Sequence, residues 1–437
     1  MLDRALRPLS RVRPGEGTLA ALMMLGVFLL LTCHYLLKTA REGLILSGGA
    51  FGLRGDELKT YATGGMAILL LAIIPGYGWV ASRVRRLVLI EATCGFTLAC
   101  LLGFYVLGRA GVPVGLAFFV WLGISSLFVV AQFWSYANDI YTEEQGKRLF
   151  GIIAIGASLG AIVGPQLAGA VESFLLMPVA GAILVAYAVL LHVIDRRHTP
   201  RAARREAEAP IGGEGVLRLV MRDRYLLLIA ALLIVVNVVN TTGEFILSKV
   251  VRDHAIAAVP DGLSAQALEA ARREYIKDFY SSFYAWVNAA AFALQAFAVS
   301  RVIDRLGVRR ALFLLPVLVF GTYGLIAAAG GLALIRAAKI TENGTNYSLQ
   351  NTLQQTLFLT MSRPAKYKAK AAIDTFAVRA GDLCAAAIVA LGLHAFGLGY
   401  RALAIVSVVV VVAVWLPVCI ALARQHGRTT EAAEVPG

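Results

Sequence analysis

Apolar and polar positions in this chain alternate in long blocks. Apolar stretches of about 20 residues, each long enough to cross a bilayer as a helix, fall at 18–46, 60–82, 87–108, 113–139, 149–170 and 174–194. Six more follow at 225–249, 278–300, 311–330, 331–360, 371–396 and 400–423. Between the two sets lies 196–224, where the run RRHTPRAARREAEAP is charged and contains proline. The pattern predicts an all-α membrane protein with twelve transmembrane helices in two six-helix halves, residues 1–195 and 225–437, joined by a flexible cytoplasmic linker. A short surface helix with Ser264 as its N-cap is expected over 264–277.

Some polar residues interrupt the apolar blocks in register. In the tenth span Arg336, Lys339, Asn343, Asn346, Gln350 and Gln354 recur every three or four residues. On a helix they form one stripe about five turns long. In lipid each such group costs kilocalories, so the stripe has to face protein or a water-filled cavity. The first span carries His34, Lys38, Arg41 and Glu42 on one face, and the seventh carries Asn237, Asn240, Thr241 and Glu244. The fourth offers Gln132, Ser135 and Asn138, while Asp139 and Thr142 fit a helix end snorkelling to the interface. Desolvated cations in a cavity attract an anionic substrate, because carboxylates and phosphates replace the lost hydration with charge-assisted hydrogen bonds. Glu42 and Glu244 would balance those cations in the empty site or titrate in proton coupling. At the eleventh span Lys370 and Asp374, then Arg379 and Asp382, stand one turn apart, as either ion pairs or substrate contacts.

Composition agrees with the pattern: 59% of the 437 residues are hydrophobic and 16% charged, against about 25% charged in soluble domains. The net charge of +14 would suggest nucleic acid in a soluble protein. Here 27 of the 41 lysines and arginines fall on the termini, the linker and the even-numbered connections, with 9 on the odd ones. By the positive-inside rule both termini and the linker are cytoplasmic, most simply in a bacterial inner membrane, and no nucleic-acid partner is required. The first apolar run is too long for a cleavable signal. Cys33, Cys94, Cys100, Cys384 and Cys419 all lie in apolar runs with no metal or redox spacing. No phosphate-binding G-x-x-x-x-G-K-[ST] loop, catalytic triad or metal-ligand cluster emerges. The expectation is therefore no enzyme, no cofactor and no metal. The expected partners are the lipid bilayer and a small anionic substrate, with no obligate protein partner. Gly156, Gly160 and Gly164 in the fifth span suit close helix packing.

The halves repeat weakly. Glu42-Gly-Leu-Ile-Leu-Ser47 resembles Glu244-Phe-Ile-Leu-Ser248, and Ser82-Arg83-Val84 matches Ser300-Arg301-Val302. Parallel six-helix halves describe the major-facilitator architecture, in which substrate binds where the halves meet and helices 1, 4, 7 and 10 line the cavity. The run Arg301-Val-Ile-Asp304-Arg305-Leu-Gly307-Val-Arg309-Arg310 resembles the D-R-x-G-R-[RK] loop of such proteins. That likeness implies gating roles for Arg301, Asp304, Arg305 and Arg309, through ion pairs at helix ends.

Three stretches point further. Phe133-Trp-Ser-Tyr-Ala-Asn-Asp-Ile-Tyr-Thr-Glu-Glu-Gln-Gly-Lys-Arg-Leu-Phe150 resembles a segment of the bacterial and plastid ATP/ADP translocase family. Tyr367-Lys-Ala-Lys-Ala-Ala-Ile-Asp374 is similar to its K-x-K-A-x-[IV]-D segment, and Leu37-Lys38-Thr-Ala-Arg41-Glu42 to its charged first-helix motif. The resemblance implies a twelve-helix antiporter of nucleotides, with Arg41, Glu244 and Lys370 in the family's charged positions. This chain has Gly381-Asp382-Leu-Cys where the family continues with a G-K-S-G-like run, and Leu353-Gln354 near its Lys-Glu pair. Both departures lower the attraction for a triphosphate, so the expectation is a divergent member carrying a nucleotide or related organic anion. Alternatives are a proton-coupled transporter of another organic ion, and a lipid translocase or non-transporting membrane protein.

Overall fold

The computed structural model describes residues 12–81, 83–197, 221–259, 262–358, 370 and 373–434. Most of linker 196–224 and of the segment 367–374 therefore lies outside the described residues. The helices are α1 (Gly17–Ser47), α2 (Gly55–Ala81), α3 (Arg86–Arg109), α4 (Gly115–Ile140), α5 (Glu143–Gly169), α6 (Leu176–Arg197), α7 (Arg224–Ala258) and α8 (Ala265–Phe297). They continue as α9 (Val299–Ala311), α10 (Leu314–Ala328), α11 (Leu332–Thr345), α12 (Asn351–Leu357), α13 (Val378–Ala390), α14 (Tyr400–Val410) and α15 (Leu416–Glu434). Wider π turns occupy Asn346–Gln350, Ile373–Ala377, Leu391–Ala395 and Val411–Trp415.

Nine stretches among the described residues are long and apolar enough to span a membrane, and the pair α8 and α9, bent by 74°, makes ten. The two remaining expected spans differ for physical reasons. α10 is apolar but only 15 residues long. The tenth expected span is divided into α11, a π turn and α12, and its polar groups hold its hydropathy down. Ser264 does accept a hydrogen bond from the Ala267 amide, yet 264–277 is not a separate surface helix. It forms the first turns of the 33-residue α8.

The chain folds as two compact units. One comprises Met1–Ala50, Gly76–Glu208 and Val259–Asn288; the other comprises Phe51–Pro75, Ala209–Ala258 and Ala289–Gly437. In the first unit α1 lies against α5 and α6, around buried Met23, Val27, Leu30, Phe133, Tyr187 and Leu191. The predicted close packing is present. A Cβ added to Gly156, Gly160 or Gly164 would run into the backbone carbonyl of Met24, Phe28 or Thr32 on α1, so only glycine permits this approach.

Polar side chains of α8 complete the ends and breaks of its neighbours. Pro165 sits inside α5 and has no N–H for the carbonyl of Ala161 four residues earlier. Asn288 supplies the missing donor: its Nδ2 is 3.1 Å from the Ala161 oxygen, and the side chain is buried. Ser281 donates to the Pro165 carbonyl at 2.7 Å. Past the end of α5, buried Lys277 donates to the Val171 carbonyl at 2.6 Å, and Glu274 accepts from the Ser173 amide at 3.1 Å. Each contact satisfies a backbone group that an apolar surround would leave orphaned.

In the second unit α7 is the central helix, packed against α13, α11 and α14. Gly381 on α13 meets α7 so closely that an added Cβ would lie 2.6 Å from the Asn237 Cβ and 2.8 Å from the Ile234 carbonyl oxygen.

Candidate functional site

In the first unit the charges of α1 are held by an aromatic and ionic surround. Glu42 is fully buried, with its Oε1 2.6 Å from Arg41 Nη2 and 3.1 Å from the Tyr284 hydroxyl, which donates to it. The Arg41 guanidinium also covers the Phe119 ring at 4.4 Å. Lys38 places its ammonium 4.4 Å from the Tyr284 ring centre and 5.1 Å from that of Tyr35. A cation over ring faces keeps part of its charge available to a partner of higher charge density. Tyr284 and Phe119 are absent from the sequence-based set because aromatic residues leave no mark on a polar stripe.

At its other end this unit carries a second ionic knot. Arg148 holds both oxygens of Glu16 at 2.9 Å, with Gln145 at 3.3 Å. These bonds hold the Glu16 carboxyl at about 2, below its ordinary value. Thr142 and Gln145 form a reciprocal capping box that starts α5. Beside it is a cavity of about 440 Å³ lined by Asn138, Tyr141, Thr142, Gly146, Lys147 and Phe150.

The second unit gathers a larger set. Lys339 of α11 is 0% exposed and lies 3.0 Å from Glu342, 3.6 Å from Glu244 and 3.1 Å from the Asn240 carboxamide oxygen. Glu244, with 22% of its side chain exposed, is shared with Lys59 of α2 at 4.0 Å and accepts from Asn343 at 3.1 Å. Lys59 donates to Ser248 at 2.9 Å. The Tyr323 hydroxyl is 3.1 Å from Glu342. Gly243 makes room for this: a Cβ there would overlap the Tyr323 hydroxyl and stand 3.0 Å from Lys339 Nζ. With every group ionised, two lysines face two glutamates, so a buried cluster exists without net charge. Sequence reasoning misses Lys59 and Glu342. Lys59 counts there with a loop although it lies five residues into α2, and Glu342 stands a helical turn after Lys339, a spacing open to view.

The remaining stripe residues face elsewhere. Arg336 is half-buried a turn before Lys339. Beyond the π turn, Asn346, Gln350 and Gln354 line a different cavity, of about 320 Å³, with Asn237 and Asn351. The continuous stripe predicted for one helix is therefore split into a charged part and an amide part. At the eleventh span Arg379 does pair with Asp382 at 3.1 Å, and Asp382 also accepts from Thr241 at 3.0 Å. Asp374 accepts from Gln354 at 2.9 Å, whereas Lys370 donates to Gln355. On α9, Arg301 donates to the Phe297 carbonyl, and Asp304 and Arg305 are exposed. Among the described residues Asp304 makes no ion pair. Arg309 packs over Gly427 of α15.

No curated protein sequence matches the chain. Solved structures do. A point mutant of the nucleoside transporter NupG aligns with TM-score 0.67 at 10% identity over 91% of this chain and 99% of its own. A bacterial homologue of the iron transporter ferroportin in an inward-facing state gives 0.63 at 13% identity over 93% and 98%. The POT family transporter PepTSo gives 0.61 at 11% identity over 93% and 98%. At these identities the likeness establishes the fold alone. A family profile matches residues 17–331, nearly three-quarters of the chain, and by that match the protein belongs to the Major Facilitator Superfamily.

Proposed function

We propose that the chain is a secondary transporter of a small organic anion, a nucleotide or a close relative, working by alternating access in a bacterial inner membrane with both termini cytoplasmic. The observation that carries this reading is the buried Lys59–Glu244–Lys339–Glu342 cluster. Glu244 is held more loosely than Glu342: its distances to the two lysines are 3.6 and 4.0 Å, against 3.0 Å for Lys339–Glu342. It is also the more exposed carboxylate, so it is the one an incoming phosphate or carboxylate displaces. Asn240 and Asn343 stand beside it to complete hydrogen bonds. Arg41 and Lys38 supply cations of the same kind in the other unit. The motif resemblance to ATP/ADP translocases supports nucleotides in particular. The structural neighbours include a nucleoside transporter, a peptide transporter and an iron-transporter homologue, and the fold therefore does not choose among substrates.

Proteoliposomes loaded with unlabelled nucleotide, then offered labelled ATP, ADP and other nucleotides, test the proposal. Uptake that depends on the internal nucleotide and falls in Lys339→Met is expected. Absence of nucleotide uptake alongside transport of another substrate class would remove it. The partial exposure of Glu244 supports a second reading, proton-coupled transport of another organic ion. Under that reading, proton dependence disappears in Glu244→Gln.

A further inference from the structure

The amide-lined cavity of the second unit has a chemistry that the anion cluster does not explain. Its polar lining consists of Asn237, Asn346, Tyr347, Gln350, Asn351 and Gln354, and among the described residues no charged side chain lines it. An anion entering such a space would shed its hydration without meeting a cation among the described lining residues, and Asp374 behind Gln354 would repel it. Carboxamides instead place a donor and an acceptor side by side, the edge that another amide complements with two antiparallel hydrogen bonds.

Gln350 singles the cavity out. It is 3% exposed, yet among the described residues its carboxamide has no hydrogen-bond partner. Its polar atoms are not sealed off but open onto the cavity, so a donor and an acceptor stand ready there for a solute. Its neighbours are already oriented. Gln354 donates through Nε2 to Asp374, which leaves its carbonyl to accept, and Asn237 donates to the Leu233 carbonyl at 2.9 Å. The π turn at Asn346–Gln350 ends on Gln350 and sets the angle at which it enters the space. Turns of this kind are rare and concentrate at functional sites.

We propose that this cavity binds the uncharged amide edge, open-chain or cyclic, of a small solute. At about 320 Å³ it holds a single ring bearing such a group. The site goes beyond the anion reading and is tested without it.

Nicotinamide and nicotinate share one ring and differ in carrying a neutral amide or a carboxylate, which makes them suitable probes. Binding to the purified full-length protein in nanodiscs is measured by ligand-observed NMR titration and by the ligand-dependent rise in unfolding temperature. Nicotinamide is expected to bind, and nicotinate to bind at least about tenfold more weakly, the equivalent of one net hydrogen bond. Gln350→Leu should weaken nicotinamide by a similar factor. Gln354→Met serves as the second variant if Gln350→Leu does not fold. Equal binding of the two probes, binding of neither, or wild-type nicotinamide affinity in both variants would overturn the proposal. Because nicotinamide is uncharged, its binding stands or falls independently of nucleotide uptake.

Discussion

Replacing Asn288 by leucine isolates the device by which α8 repairs α5. The Ala161 carbonyl has lost its helical partner to Pro165, and Asn288 Nδ2 meets it at 3.1 Å in a buried setting. Leucine keeps the branched outline of asparagine and is somewhat larger, so no cavity is left and the main cost is that of an unsatisfied buried carbonyl, about 1–3 kcal/mol. The second bond of Nδ2, to the Tyr284 carbonyl at 2.8 Å, adds little because that oxygen lies within α8 and keeps its helical donor. We therefore expect Asn288→Leu to cost about 2 kcal/mol. The cause is separable by a cycle. Pro165→Ala restores an N–H four residues after Ala161, which can bond the carbonyl along the helix. In that background Asn288→Leu should cost about 0.5 kcal/mol or less, giving a coupling energy above roughly 1 kcal/mol. Equilibrium unfolding in mild detergent of the wild type, the two single variants and the double variant measures all four corners. An equal loss from Asn288→Leu in both backgrounds would refute the donor-replacement argument.

Three other outcomes are expected. Lys339→Met strands Glu342 in a buried site, so it should destabilise by about 3–5 kcal/mol, while Lys339→Met combined with Glu342→Leu should recover much of that loss in the same unfolding assay. Glu16, held at about 2 against an ordinary 4.5, contributes stability that is fully present above about pH 4.5 and fades as pH falls toward 2. The difference in unfolding temperature between wild type and Glu16→Gln should therefore be flat at neutral pH and shrink across that window. Gly160→Leu forces a branched side chain into the Phe28 carbonyl and should sharply lower the folded yield, whereas Ser158→Ala, two residues earlier at a half-buried position whose hydroxyl bonds the Ala154 carbonyl of its own helix, should not.

Much of the membrane architecture was legible because bilayer thickness imposes a length scale that composition cannot hide. Each of the first seven apolar blocks became one helix. Misreadings came where a helix mixes two environments. The start of α8 reads as surface helix because Arg273, Glu274 and Lys277 are charged, yet Lys277 is buried and Glu274 pairs with the Ser173 amide. Reading a helix as strictly 3.6-residue put Arg336 through Gln354 on one face, and a π turn then parted them. Of the candidate residues, Glu42, Arg41, Glu244, Lys339, Asn240 and Asn343 were visible because a charge or amide at membrane depth needs a reason. Their aromatic and glycine supports, Tyr284, Tyr323 and Gly243, carry no such signal and show only in three dimensions.

The π turns also bear on how the chain tolerates changes of length. Each holds a residue more than the α-helix it interrupts, and among the described residues the second unit contains four and the first none. At such a place the backbone can lose one residue and close into regular helix. Everything downstream then keeps nearly its direction, because the turn has shed its surplus residue rather than a step of regular helix. A one-residue deletion within α11 would instead turn all that follows by about 100°. Shortening 346–350 by one residue would therefore leave the amides of α12 facing their cavity, and an indel of one codon is far milder there than one turn earlier.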